Sequence, residues 1–193
     1  MTATGPCPGG NNCGLSIASE NPVYIQGDFN ANYGGNGFSD PQIATSIAAD
    51  AVTLLSDQWN DMNSFTSPYA ETNRSAVTSY YRTAIVAGQT PYFSNPTGIV
   101  SQDYGTDGGV HNYLRYLEDW SGDTLNYKGS IIFMYYSRQA NATFKCCNQV
   151  YQPPTRGYNF DTNFLTPALL PPRTPLFRDT NTTGWTRLLL PSQ

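Results

Sequence analysis

An oxygen-rich loop early in the chain carries the residues best suited to bind a metal ion. Asp28, Asn30 and Asn32 alternate along it, and glycines and a further aspartate follow. Alternating carboxylate and amide oxygens can converge on calcium, which takes six to eight oxygen ligands. A turn held by Asp and Asn side chains explains the same residues without a metal. These three residues are the candidate calcium ligands, the turn is the alternative, and no other cofactor is expected.

Two pairs of carboxylates are candidates for glycoside hydrolysis, a reaction that uses two acidic side chains. They are Glu118 with Asp119 and Asp57 with Asp61. Adjacent residues of a helix do not face each other, so the first pair is poorly placed for this role. His111 is the single histidine, and no G-x-S-x-G motif supplies it with a nucleophile. A hydrolase built on these residues is therefore not the favoured interpretation.

A third arrangement would resemble the sites of polysaccharide lyases, which use acidic and basic residues on one face of a β-helix. Lys128 beside Gly129, with Asp28 and Asp50 at predicted strand ends, fits that description. No cluster of basic residues supports it. We expect that the protein is not an enzyme.

The four cysteines form two local groups, Cys7 with Cys13 and Cys146 with Cys147. The Pro, Gly and Asn residues between Cys7 and Cys13 turn easily, so we favour a disulfide between these two. A disulfide between the adjacent Cys146 and Cys147 would be strained, and cross-pairing of the two groups is the alternative. The C-x2-C spacing of common zinc sites is missing, so zinc is the less favoured interpretation.

The composition is typical of secreted and cell-surface proteins. Charged residues make up 12% of the chain, about half of the roughly 25% in an average soluble protein. The net charge of −4 and the scattered basic residues argue against nucleic-acid or anionic-membrane partners. No apolar run is long enough to span a bilayer, and the first residues lack the pattern of a signal peptide. We expect an extracellular domain with a targeting segment upstream.

Four segments repeat one pattern, an apolar-x-apolar triplet followed by Gly or Asp. The residues after the triplets are Gly27, Asp50, Gly88 and Gly129, and such residues often mark bends that end strands. Strand, bend and strand recurring along a chain is typical of stacked solenoid rungs. We predict a mainly β fold with a degenerate parallel β-helix core, and four strands of an ordinary sandwich are the alternative. The segments span residues 23–29, 46–55, 84–88 and 125–134.

One or two helices are predicted beside the strands, because the Ser and Thr content of the first segment disfavours a helix. Residues 71–81 contain helix-compatible residues, and apolar residues recur at helical spacing over 110–120. The second pattern consists of Val110, Tyr113, Leu114, Leu117 and Trp120.

The chain divides into three regions that form one domain. Residues 1–19 form a Gly- and Cys-rich N-terminal arm, and residues 20–152 form the β-helix-like domain. Residues 153–193 contain repeated prolines, which exclude central strands. Their scattered aromatic residues favour an extended segment packed on the domain over a free tail.

Several segments together resemble a family of bacterial surface proteins that carry a type IV prepilin-like N-terminal helix and a β-helical body. The resemblance covers about residues 15–179 and implies the C-terminal, β-helix-like domain of a pilus-associated or minor pilin-type protein. The chain departs from that pattern in having no prepilin segment and in carrying the cysteine-containing arm. The similar segments are 21–30, 48–61, 84–88, 109–120, 125–130, 151–156, 160–161 and 170–172.

The function predicted from these features is that of a non-enzymatic bacterial surface domain in adhesion or filament assembly. Its expected partners are pilus or other filament subunits, and surface glycans are a further possibility because tyrosines are abundant. A carbohydrate-active β-helix enzyme and a self-assembling filament subunit are the alternatives. Neither nucleic acid nor direct membrane contact is expected.

Overall fold

The computed structural model describes residues 14–32, 36–40, 43–66, 69–99, 103–105, 113–144, 146 and 150–176. This part of the chain is mainly β with one short α-helix, which confirms the predicted fold class at that level. The helix α1 spans Asp61–Thr66, and 3-10 turns span Glu71–Asn73, Thr162–Leu165 and Pro167–Leu169. The strands are β1 (Leu15–Ser19), β2 (Val23–Gln26), β3 (Thr45–Ala49), β4 (Val52–Leu55), β5 (Ser79–Gly88), β6 (Thr124–Tyr135) and β7 (Thr155–Phe160).

All the strand pairs in this part of the chain are parallel. One sheet has five strands in the order β1-β3-β5-β6-β7, and β2 pairs with β4 in a second sheet. Because β2 lies between β1 and β3 in sequence, and β4 between β3 and β5, the chain passes repeatedly from one sheet to the other. The five-stranded sheet is open, since its first and last strands do not pair.

A row of isoleucines crosses the first four strands of the large sheet. Ile17, Ile47, Ile85 and Ile131 occupy matching positions on β1, β3, β5 and β6. The inner two are 1% and 0% exposed, and the outer two are partly buried against the same core. Stacked β-branched side chains suit a pleated surface, and here they align neighbouring strands.

An aromatic row lies further toward the start of β5 and β6. Tyr81, Tyr127 and Tyr158 are in register on β5, β6 and β7, and Phe29 bridges to Tyr81. The buried hydroxyl groups of Tyr81 and Tyr127 donate to the carbonyl oxygens of Leu55 and Thr83, both at 2.6 Å. Burial raises the pKa of Tyr81 far above that of a free phenol, so the hydroxyl stays protonated and donates this bond.

Three of the predicted strand breaks agree with the structure. Gly27 follows β2 with a φ of 75°, a left-handed conformation that favours glycine. Asp50 separates β3 from β4. Gly88 is the last residue of β5, also as predicted.

The bend predicted at Gly129 is wrong. Gly129 lies inside β6, which continues from Thr124 to Tyr135. A Cβ atom at this position would collide with the carbonyl oxygen of Thr83 on β5. The glycine is therefore explained by the close approach of two backbones rather than by a turn.

The helix predicted over 110–120 is also wrong for the described residues 113–120, which are extended. Arg115 bridges to Thr53 and Asp119 bridges to Ser75, both in parallel. Residues 114, 116, 118 and 120 are fully buried while 115, 117 and 119 are partly exposed. This period of two belongs to a strand. It is obscured in the sequence because the inward residue Glu118 is charged and the outward Leu117 is apolar.

The helix predicted over 71–81 shrinks to a single 3-10 turn at Glu71–Asn73, and β5 begins at Ser79. Tyr80 and Tyr81 thus belong to a strand, in which β-branched and aromatic residues are common. The short helix α1, Asp61–Thr66, lies outside both predicted helices. Among the described residues, no helix has the length and apolarity needed to cross a membrane.

The two regions on either side of the predicted β-helix-like domain, residues 1–19 and 153–193, also contain strands. β1 lies within the predicted N-terminal arm, and β7 lies within the Pro-rich region, where it pairs with the first half of β6. Ser16 Oγ donates a 2.6 Å hydrogen bond to Pro172 O, which links the two ends of the described chain.

Candidate functional site

The predicted calcium residues hold a turn against β5 in this structure. Asp28 Oδ1 accepts a 2.8 Å hydrogen bond from Tyr80 N. Asn30 Nδ2 donates to the carbonyl oxygens of Ile43 and Arg82 at 2.8 and 3.0 Å. Asn32 closes the loop through a backbone bond from its N–H to Gly37 O. Calcium binding by Asp28, Asn30 and Asn32 stays a prediction.

A second carboxylate approaches the same turn. A Cβ atom at Gly27 would overlap Asp57 Oδ1, so this glycine leaves room for the Asp57 side chain. The pKa of Asp28 is raised mainly by burial, with a further contribution from the charge of Asp57, while the bond from Tyr80 N opposes the rise. No group of three or more His, Cys, Asp or Glu side chains with metal-binding geometry occurs among the described residues.

The residues of the lyase-like arrangement serve separate parts of the fold. Asp50 accepts hydrogen bonds from Ser137 Oγ at 2.5 Å, Arg138 N at 2.8 Å and Gln139 N at 3.0 Å. Asp28 binds Tyr80 N instead. Lys128 contributes to lowering the pKa of Asp40, after larger effects from Arg82 and Asn163. Asp28 and Asp50 are thus each held by structural hydrogen bonds.

In both carboxylate pairs, the two members have different surroundings. Glu118 is buried, whereas Asp119 is partly exposed and accepts a bond from Ser121 N. Asp61 accepts a 2.6 Å bond from Trp59 Nε1, while Asp57 lies beside Gly27.

The predicted histidine and most of the cysteines, His111, Cys7, Cys13 and Cys147, lie outside the described residues. Cys146 is described and is not a free thiol, and its predicted pairing stays a prediction.

Glu118 is a carboxyl group of the core whose pKa is strongly raised. Its Oε2 accepts a 2.7 Å bond from Ser56 N, and its Oε1 accepts a 2.6 Å bond from Ser56 Oγ. Burial raises its pKa to about 7, although the Ser56 bonds and the charge of Arg74 act in the opposite direction. The side chain is 0% exposed and therefore has no access to a substrate. We assign it a structural role that ties the extended segment 113–120 to the end of β4.

The strongest candidate for an interaction site is the second half of β6. β7 pairs with β6 only as far as Gly129 and Phe160. Beyond that point β5 is the only strand of the described chain that pairs with β6. Five consecutive residues there are exposed: Ile132 (41%), Phe133 (51%), Met134 (72%), Tyr135 (39%) and Tyr136 (70%). We call residues 132–136 the β6 edge segment.

The β6 edge segment is anchored on the side of β5, and no other strand of the described residues pairs with it. Tyr135 Oη donates a 2.6 Å hydrogen bond to Ala49 O, and Tyr113 Oη bonds the carbonyl oxygen of Ile132. The Phe133 and Tyr136 rings meet edge to face with centroids 6.2 Å apart. The segment contains no charged residue. Such a surface can add a strand from another chain or stack its rings on a sugar.

A partial signal for this segment is present in the sequence. Residues 131–136 form a continuous apolar run without the alternation of a strand that has one face in water. The run identifies a strand but leaves open whether its surroundings are protein or solvent. Sequence analysis therefore missed its exposure, which depends on where β7 stops.

Comparison of the chain with protein-family models, with curated proteins and with solved structures found no match.

Proposed function

We propose that this chain is a non-enzymatic extracellular domain of a bacterial surface filament of the type IV pilus kind, acting in adhesion or assembly. The observation that carries the proposal is the β6 edge segment, an uncharged apolar strand edge exposed to solvent. Proteins usually protect strand edges with charges, prolines or covering loops, so an exposed apolar edge favours a binding role. The resemblance of several segments to pilus-associated proteins and the low charged fraction support the surface location.

We further propose that the core is a degenerate parallel β-helix. Three parallel rows support this. The first is the large sheet, and the second runs from β2 through β4 to Arg115. The third contains Ser75, Asp119 and Gln152. A chain that visits such rows in turn follows the path of a coil. A crystal structure in which these rows do not surround a common core would contradict this proposal.

The partners consistent with this role are subunits of the filament or surface glycans. The exposed rings of Phe133 and Tyr136 provide contact area for either, and aromatic side chains contribute it at low entropic cost. Five of the carboxylates considered for catalysis, Asp28, Asp50, Asp61, Glu118 and Asp119, accept structural hydrogen bonds, and no feature of the described residues favours the enzyme alternative over the binding role.

The first test is to find the native protein in its source cells. We expect it in the sheared surface-filament fraction, with a mass several kilodaltons above that of this chain and a processed hydrophobic N terminus. A freely secreted protein of about this length, absent from that fraction, would overturn the pilus proposal.

A second test asks whether the β6 edge segment mediates the association. Met134→Lys places a charge in the segment, and we expect at least a severalfold loss of the protein from the filament fraction. Met62→Lys is the matched control, because Met62 is similarly exposed (67%, against 72% for Met134) but lies on α1. Equal incorporation of the two variants would show that another surface is used.

A further inference from the structure

Among the described residues, the large sheet has two edges without a pairing strand at the level of the C-terminal half of β6, and they face opposite ways. β1 forms one edge, and among the described residues it pairs only with β3. The second half of β6 forms the other, since β7 leaves it after Gly129. Both edges belong to one set of parallel strands, so β1 and β6 run in the same direction. A second copy translated along the sheet would therefore present β1 to β6 in the orientation that β5 already has.

The isoleucine row indicates how such a second copy would be aligned. Ile47 and Ile85, with a neighbouring isoleucine on both sides, are almost completely buried. Ile17 and Ile131 end the row and are only partly buried. Placing Ile17 of a second copy beside Ile131 would continue the row through the contact and remove both ends from water.

The sizes of the side chains on the two edges are complementary in this alignment. Ala18 would lie beside Ile132, and Ser19 beside Phe133, following the register already present across β1, β3, β5 and β6. The small residues of β1 thus meet the large exposed residues of β6. Neither β1 nor residues 130–136 contain a charge or a proline, the features that commonly prevent strand edges from pairing.

The same arrangement, in which two separate segments pair with one edge of a strand, already occurs once inside the molecule. Along β5, Phe29 bridges to Tyr81 while β3 pairs with residues 84–87. Two separate segments thus cover the N-terminal and the C-terminal half of one edge of β5. On the corresponding edge of β6, β7 covers only the N-terminal half. Pro172 contacts Ser16 at the start of β1, so Ile17, Ala18 and Ser19 are the residues offered to a partner.

We infer that β1 of a second copy of this chain adds in parallel to the free edge of β6, with Ile17 beside Ile131. The inference rests on the proposed role in assembly and names the partner of the β6 edge segment. The contact joins two different surfaces, so it is heterologous and repeats into an open row of copies rather than a closed dimer. The sedimentation of the full chain then depends on its concentration.

Charge exchange across the contact tests the register. Ala18→Lys and Ile132→Glu each place one charge opposite an uncharged residue, and each is expected to weaken association at least about fivefold. The double variant Ala18→Lys/Ile132→Glu places opposite charges side by side and is expected to recover most of it. The double variant Ala18→Lys/Ile132→Lys places like charges together and is expected to stay monomeric. Both substituted positions are exposed, and circular dichroism verifies that each variant is folded.

The outcomes separate this inference from the proposed function. If Ile132→Glu blocks association and Ala18→Lys has no effect, β6 pairs with β6 and the inference is wrong. A full chain that stays monomeric at every concentration also overturns it. In that second case, recovery of the native protein in the filament fraction would leave the proposed function standing with a different partner. Absence from that fraction would remove both.

Discussion

The Arg82 guanidinium and the Asp161 carboxylate form a buried ion pair through two contacts, Nε to Oδ2 at 2.7 Å and Nη2 to Oδ1 at 3.2 Å. Their side chains are 1% and 0% exposed. Arg82 lies on β5 and Asp161 directly follows β7, so the pair joins strands that do not neighbour each other in the sheet. Two-point contacts of this kind fix geometry as well as charge.

Removing Asp161 should strongly destabilise the fold. Asp161→Ala leaves a buried guanidinium with one exposed carboxylate, Asp40, as its remaining acidic partner among the described residues. We expect the free energy of unfolding to fall by about 3–5 kcal/mol in urea titrations. Asp40→Ala is the control, because Asp40 is 61% exposed and its loss should cost no more than about 1 kcal/mol. Equal effects would mean that burial does not decide the strength of these contacts.

Glu118 should make the stability depend on pH near neutrality. Its pKa in the folded protein is about 7, above the ordinary value of 4.5. A raised carboxyl pKa means that the folded state holds the proton more tightly, so the contribution is complete below about pH 4.5 and is lost as the pH rises through 7. We expect a lower melting temperature at pH 8 than at pH 5. The free energy of unfolding should fall by about 1–3 kcal/mol between these two pH values.

Glu118→Gln is the variant that isolates this effect. Glutamine can keep the contacts to Ser56 but does not titrate, so its melting temperature should change little between pH 5 and pH 8. Arg74 and Glu71 lie in the same buried region and remain unchanged. If wild type and variant show the same pH profile, the dependence arises from another group.

Gly129 should not tolerate a side chain, for reasons of space. Gly129→Ala directs a methyl group at the backbone of Thr83, which cannot rotate away, and we expect a loss of at least about 1–3 kcal/mol. Gly157→Ala on the neighbouring strand is the control, because its methyl group would meet the movable side chain of Asn126. Comparison of urea midpoints checks the difference, and equal midpoints would contradict the close approach of β5 and β6.

Asp50 should stabilise the turn at residues 137–140. Hydrogen bonds from Ser137, Arg138 and Gln139 lower its pKa even though burial opposes this. Its contribution is therefore present above about pH 4 and is lost as the pH falls further. Asp50→Ala should speed hydrogen exchange at the Arg138 and Gln139 amides. Asp119→Ala removes one bond to Ser121 N elsewhere and should leave those two amides unchanged.

Local sequence patterns predicted the β character and several strand limits of this chain. The break at Asp50 and the bend at Gly27 depend on residues close in sequence, and both occur where predicted. Strand propensity and backbone freedom are local properties, which is why a pattern of a few residues reveals them.

The same local patterns were misleading wherever a distant partner changes the role of a residue. Leu117 and Tyr113 have helical spacing, yet the segment is extended because Glu118 points inward to Ser56, 62 positions away in sequence. Gly129 resembles a bend residue but accommodates the Thr83 carbonyl of another strand. A short pattern contains no information about such partners.

The sequence by itself determined that the chain is mainly β, that it carries few charges, and that the apolar residues 131–135 belong to a strand. Only the tertiary structure decided that this strand lies beside β5, that β7 leaves it at Gly129, and that residues 132–136 meet solvent. Apolar composition follows from the residues alone. Burial depends on which other segments pack beside those residues. Such segments are distant in the sequence, and strand pairing brings them together.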